Sequence, residues 1–272
     1  VLDSIPCADP YVERLLEGFA YMAARVRQKL DAEFPRFTQS LLDTVFPHYL
    51  MPTPSMAMVR FDPQLSEGAL TKGWRIPRGT MLRSRVGGEQ KTACQFRTGH
   101  EVTLWPFKIA EAQYHTRETA VLDLPENLQA KSAIRIRIAL PPNTKTADLA
   151  VEDLDLFLCQ TGSETPMRIY EALFTTCTGM AVQVPGPPRR TVAVLPPENI
   201  RPVGFDTDEA LLPPDRRVFE GYRLLREYFA FPQRFMFLRV GSLRRLIKRT
   251  VGPSLDLVFL FDRADPILEQ AV

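Results

Sequence analysis

Three prolines, Pro47, Pro52 and Pro54, forbid regular helix over one short stretch and sit where the hydrophobic period of the chain changes. Upstream of them apolar residues recur at helical spacing. Downstream, from Ser55, Ala57, Val59 and Phe61 alternate with Met58 and Arg60, the period of a strand, until Asp62-Pro63 stops it. The expected order is therefore helix first and β structure afterwards. Prolines number 24 in 272 residues, nearly twice the usual share of about 5%, and the 14 glycines are not raised with them. Excess proline without excess glycine predicts rigid, packed loops rather than flexible linkers.

In the helical part, Asp9 is placed to cap and Pro10 occupies the first helical position, where a missing N–H costs nothing. Val12, Leu15, Leu16, Phe19, Ala23, Val26 and Leu30 share one face, with Glu13, Arg14, Glu17, Arg25, Gln28 and Asp31 opposite. A helix from Pro10 to Glu33 is about 36 Å long at 1.5 Å per residue. Its stripe suits either the chain's own core or a partner's groove. Pro35 is expected to end it, and a second helix from Thr38 to Phe46 follows with Leu41, Leu42, Val45 and Phe46 inward.

The β part has several readable strands. Ile76-Pro77-Arg78-Gly79 has proline second and glycine fourth, as a type I turn prefers, with Thr80 to Arg85 running on as a strand. Ile134, Ile136, Ile138 and Leu140 alternate with Arg135 and Arg137, and Leu154, Leu156 and Leu158 alternate with Asp153, Asp155 and Phe157. If these two strands are neighbours, arginines face aspartates, each pair contributing about 0.2 to 1 kcal/mol. A short helix between Met167 and Phe174 precedes strands at Met180 to Val184 and Thr191 to Leu195, joined by the turn Pro185 to Pro188. A helix from Phe219 to Phe229 and strands at Phe235 to Val240 and Leu255 to Phe261 complete the pattern.

Most reactive chemistry lacks a signature. His48, His100 and His115 have no histidine or cysteine three or four residues away, so no metal site is expected, and His48 between Pro47 and Tyr49 reads as a packed residue. No nucleophile elbow, Walker loop or dinucleotide-binding glycine pattern occurs. Cys7, Cys94, Cys159 and Cys177 are scattered and expected to be reduced and buried. The strongest apolar run, Leu255 to Phe261, is interrupted by Asp256 and too short to cross a bilayer, and the start at Val1 carries no signal-peptide pattern, as of a chain whose true beginning has been clipped. Arg189-Arg190, Arg216-Arg217 and Arg244-Arg245 with Lys248 and Arg249 invite a nucleic-acid reading. The net charge of only +2 argues against it, and Leu243, Leu246 and Ile247 make the last cluster equally a basic face over an apolar stripe.

The stretch from Asp9 to Phe61, DPYVERLLEGFAYMAARVRQKLDAEFPRFTQSLLDTVFPHYLMPTPSMAMVRF, closely resembles the N-terminal signature of the TssF family of type VI secretion baseplate proteins. Gly79-Thr80, CQFRTGHEVTLWP from Cys94 to Pro106 and GYRLLREYFAFP from Gly221 to Pro232 fit the same family. The Ile-Pro-Arg-Gly-Thr turn followed by a Phe-Arg-Thr strand also looks like baseplate-wedge proteins of contractile phage tails. The resemblance implies a non-enzymatic wedge subunit without cofactor, two copies joining one TssG-like subunit and meeting TssK-like and TssE-like subunits around a VgrG-like spike hub. It implies a cytoplasmic location at the inner face of the cytoplasmic membrane, with no membrane insertion and no nucleic acid. Because family members begin earlier and run well beyond Val272, it also implies a fragment.

The expected fold is α+β: an N-terminal helical region over 1–54, a β-rich sandwich- or barrel-like domain over 55–205, and an incomplete α+β segment over 206–272. A wedge subunit needs broad apolar surfaces held by rigid loops. Phe46, Tyr49 and Met51 after the second helix, and Tyr222, Leu225 and Tyr228 on the later one, are the interface candidates, though for each a place in the chain's own core is the more ordinary reading. The competing functions are a carbohydrate- or peptide-binding β module and a hydrolase using a carboxylate pair.

Overall fold

The structure, a computed structural model, describes residues 9–63, 68–85, 92–116, 122–125, 128, 130–142, 144–159, 164–213 and 218–269. In chain order the regular elements are α1 (Pro10–Val45), α2 (Pro47–Leu50), β1 (Trp74–Ile76), β2 (Met81–Arg83), β3 (Gln95–Arg97), β4 (Val102–Leu104), β5 (Lys108–His115), β6 (Ser132–Ala139) and β7 (Leu154–Phe157). There follow α3 (Thr165–Thr175), β8 (Cys177–Val184), β9 (Arg190–Leu195), β10 (Ile200–Val203), α4 (Glu220–Ala230), β11 (Phe237–Val240), α5 (Arg244–Ile247), β12 (Ser254–Phe261) and α6 (Pro266–Glu269). The chain divides into two compact units, one of 1–55 with 215–223, the other of 56–214 with 224–272. Among the described residues no helix is long and apolar enough to cross a membrane.

In the first unit Asp9 caps α1, its Oδ1 accepting from the Tyr11 N–H at 2.9 Å. The expected break at Pro35 does not occur: one helix of 36 residues runs through it. A proline costs the helix one hydrogen bond and crowds the carbonyl a turn earlier, about 3 kcal/mol. Just beyond it Thr38 Oγ1 donates to the Phe34 and Pro35 carbonyls at 3.4 and 3.0 Å. α1 ends where Phe46 takes an extended φ of −147° and its N–H returns to the Leu42 carbonyl; Pro47 then starts α2, in which Pro47 and His48 are buried. His48 is thus a packed residue, as expected.

The second unit begins with another correction. The alternating stretch Ser55 to Phe61 is not a strand: it has no ladder, and Arg60 turns back onto Asp62 at 2.9 Å. Alternation supplies a face, but a strand also needs a partner edge. β1 pairs with β4 and β2 with β3, both antiparallel. The turn between β1 and β2 lies one residue later than predicted: the Thr80 N–H donates to the Pro77 carbonyl, placing Gly79 third with φ of 82°. That position and sign of φ belong to a type II turn, which selects glycine there.

Five antiparallel strands form the main sheet in the order β5-β6-β12-β8-β9, and three form a second in the order β10-β11-β7. β6 stands where its alternation placed it, and the hairpin of β8 and β9 and the strand β12 stand where strands were expected from the sequence. One core collects Ile134 and Ile138 of β6, Met180 and Val182 of β8, and Leu255, Leu257, Phe259 and Phe261 of β12. It also takes Leu154 and Leu156 of β7, Leu238 and Val240 of β11, Leu173 of α3 and Ile247 of α5. Each such side chain contributes about 1.5 to 3 kcal/mol by leaving water. The sheet's other face carries a smaller apolar group of Leu122, Ala133, Ala181, Val258 and Leu260.

The expected pairing of Arg135 with Asp155 fails, because β6 and β7 belong to different sheets. Cross-strand charge matching operates in both sheets with other partners. Arg137 makes a two-pronged contact with Asp256 of β12 at 2.8 and 2.9 Å, and Arg135 reaches Glu111 of β5 at 3.0 Å. Asp155 instead receives Arg239 of β11, directly opposite, at 2.6 and 3.0 Å.

Candidate assembly surfaces

The largest apolar surface of the first unit lies on α1. No residue of this helix is buried. Phe19 is 73% exposed and Phe34 67%, and Leu15, Met22, Val26, Leu30, Phe37, Leu41 and Val45 are exposed with them. The stripe read from the sequence therefore extends to Val45 in unbroken helical spacing. Its second half was hidden by the assumption that Pro35 ends the helix; the run Leu30, Phe34, Phe37, Leu41, Val45 was the available signal. Phe19, Met22, Ala23, Val26 and Leu30 line a shallow apolar depression along it.

Three of the six interface candidates come together in this unit. The Phe46 ring lies 4.6 Å from Tyr222 and 5.9 Å from Tyr49, and Phe219, which the sequence reading did not single out, meets Tyr222 edge-on at 5.8 Å. Phe46 is half-buried, while Tyr49, Tyr222, Phe219 and Met51 are exposed. Leu225 and Tyr228 belong to the second unit. There Leu225 is exposed, and Tyr228 joins Phe229 and the buried Phe235, with Phe205 5.0 Å from Phe235.

Beside that aromatic group the loop over residues 204–212 is held by charged side chains on its backbone. Buried Glu227 Oε1 accepts from the Leu211 and Leu212 N–H groups at 3.1 and 2.9 Å. Arg234 donates to the Glu209 carbonyl at 2.9 Å and Arg78 to the Asp208 carbonyl at 2.8 Å. His100 stands edge-on to Phe237; burial first, and then the positive charge of Arg234, holds its imidazole below the ordinary histidine range. These groups fix a loop, and a carboxylate bonded to two backbone donors is poorly placed to move protons.

Among the described residues no group of three or more His, Cys, Asp or Glu is arranged to hold a metal ion. The cysteines depart from expectation: Cys94 and Cys159 are exposed and Cys177 is half-buried, all three free, its thiol pushed up by burial. Cys7 lies outside the described residues.

The family model for the type VI secretion system protein TssF matches residues 1–272. The chain is 46% identical over 273 residues to the type VI secretion system component TssF1 of Pseudomonas aeruginosa strain PAO1, a match that covers all of this chain and 44% of that protein. It is also similar to a chain of the cryo-electron-microscopy structure of a type VI secretion TssK-TssF-TssG baseplate subcomplex. There the TM-score is 0.68 at 27% identity, over 94% of this chain and 45% of that one. The chain thus spans a little under half the length of the relatives it matches. Matched by the family model from its first residue to its last, and nearly half identical to a member, the chain belongs to the TssF family of the type VI secretion system.

Proposed function

We propose that this chain is part of a structural, non-enzymatic subunit of the type VI secretion baseplate wedge. Two copies join one TssG-like subunit, and the wedge meets TssK-like and TssE-like subunits around a VgrG-like spike hub, in the cytoplasm at the inner face of the cytoplasmic membrane. The observation that carries the reading is α1, a helix of 36 residues whose apolar stripe is exposed along its whole length. A helix of this kind loses free energy in water and gains it by docking with other helices. A solved complex that joins TssF with TssK and TssG supports the same reading.

The sheet edges point in the same direction. Both outer strands of the main sheet carry a bulge, at Ala110 in β5 and at Val192 in β9, and the edge strand β10 contains Pro202. Bulges and proline are the devices by which edges avoid pairing with other chains. Partners are then met through helices and side-chain patches rather than by added strands.

The test is co-expression of the full-length protein with the TssG-like subunit of its gene cluster, and the mass of the product by native mass spectrometry. A complex of two copies with one TssG-like subunit is the expected result. A chain that stays monomeric with every wedge subunit overturns the proposal and favours a free-standing binding module.

A further inference from the structure

The basic cluster after β11 is absorbed neither by the fold nor by the wedge contacts above. Backbone hydrogen bonds continue the helical turn of α5 to its end: Lys248 N–H to the Arg244 carbonyl at 3.2 Å, Arg249 N–H to Leu246 at 3.0 Å and Thr250 N–H to Ile247 at 3.0 Å. Leu243, Ile247 and Thr250 are buried on one side of it. At 100° per residue, Arg244, Arg245, Lys248 and Arg249 fall opposite them, and all four are exposed. The outward side is therefore entirely cationic.

A fifth cation joins from the β8–β9 hairpin. Arg190, also exposed, donates from Nη2 to the Arg249 carbonyl at 3.4 Å. None of the five forms an ion pair with any described residue. Arg135, Arg137, Arg168 and Arg239 of the same unit each have a carboxylate within 4 Å, whereas Arg83, Arg97 and Arg201 are exposed without one but stand singly. Five exposed cations therefore share one face with no carboxylate partner among the described residues, and like charges held close are costly unless something anionic covers them.

We infer that the face formed by Arg244, Arg245, Lys248, Arg249 and Arg190 docks an acidic surface of a neighbouring protein subunit, one presenting several Asp or Glu side chains. The inference rests on the assembly role proposed above. Four of the five cations are arginine, whose planar fork binds carboxylates two-pronged and which is enriched in protein interfaces. Single-stranded nucleic acid wants aromatic platforms between the cations, and none of these positions is aromatic. Val251, 66% exposed at the end of the cationic turn, adds an apolar contact suited to a protein neighbour.

The test uses full-length protein co-expressed with the TssG-like, TssK-like and TssE-like subunits. Two versions are compared, wild type and R244E/R245E/K248E/R249E, with R244Q/R245Q/K248Q/R249Q as a gentler second variant. Zero-length carbodiimide coupling is expected to join Lys248, the one amine of the cluster, to an Asp or Glu of a neighbouring subunit, located by mass spectrometry. Charge reversal is expected to weaken capture of that subunit at least roughly tenfold, and raising salt from about 0.05 M to about 0.5 M to weaken the wild type similarly. The melting temperature and the pairing with other subunits stay as in wild type, and reversing the coupled carboxylate to lysine restores capture.

A charge-reversed chain that captures every subunit as well as wild type overturns the inference and leaves the wedge reading standing. A wild-type chain that captures none overturns both. If the wild type binds phosphatidylglycerol vesicles or duplex DNA through these residues and the coupling to a subunit is absent, the face serves a membrane or nucleic acid and the inference is wrong.

Discussion

Asp256 has no exposure to solvent and accepts both prongs of Arg137, while Arg135 approaches it at 3.7 Å. It belongs to a polar row running from Glu111 through Arg137, Asp256 and Gln183 to Thr191, one residue from each strand of the main sheet in register. Slipping any strand by one residue would set a charge against the apolar core, so the row favours one register. Replacing Asp256 by Asn keeps the shape but leaves Arg137 and the buried Arg135 with Glu111 as their one remaining carboxylate; a loss of about 3 kcal/mol is expected, as for other broken buried pairs. The denaturant midpoint should fall with unchanged slope. A loss below about 1 kcal/mol would assign the pairing energy to Glu111 instead. His100 titrates oppositely to a paired histidine: burial and Arg234 lower its folded pKa, so the unfolded chain binds the proton more readily. Its contribution to stability is complete above the unfolded value of about 6.5 and is lost as pH falls below that value. His100→Gln should remove this part of the decline in melting temperature between about pH 7 and 5; an unchanged pH slope would show that the imidazole is not responsible.

At the scale of elements, what could be read from the sequence was what depends on neighbours along the chain. β6 announces itself by alternation, β12 and the β8–β9 hairpin by short apolar runs, α3 and α4 by helical spacing, and the start of α1 by Asp9-Pro10. What could not be read depends on residues far away. Ser55 to Phe61 alternates as well as a true strand but finds no partner edge, and Arg137 finds its aspartate 119 residues on, where no periodicity points to it. The aromatic types at Phe46 and Tyr222 were legible, but not that the two rings would meet. Gly79 moved its turn by one residue because a positive φ outweighs the mild preference of proline for the second position. Pro35 is a different case, a local penalty of about 3 kcal/mol absorbed by a long helix. Pro35→Ala should therefore slow hydrogen exchange of the α1 amides around it, by up to roughly a hundredfold if the whole penalty is recovered. Unchanged exchange there would mean that the helix is held by something other than its own hydrogen bonds.

At the scale of the whole molecule, the two units differ in where their apolar side chains lie. The second unit has a core with Met180, Val182, Leu257 and Val258 wholly out of water, whereas α1 buries no residue at all. Solvent-facing substitutions usually change stability by no more than about 0.5 kcal/mol, while removal of a central apolar contact from an interface often costs 2 kcal/mol or more. Stability and assembly should then respond independently to changes on α1. Phe19→Asp combined with Val26→Asp leaves the charge pattern of the opposite helix face intact and removes two contacts from the stripe. The melting temperature of the full-length protein should shift by no more than about 2 °C, while the complex with the TssG-like subunit is lost by native mass spectrometry. If the complex survives, helix docking does not run through this part of α1, and the continuation from Phe34 to Val45 becomes the segment to change. If instead the melting temperature falls by ten degrees or so, the stripe is already buried in the isolated full-length protein, and the partner must be recognised elsewhere.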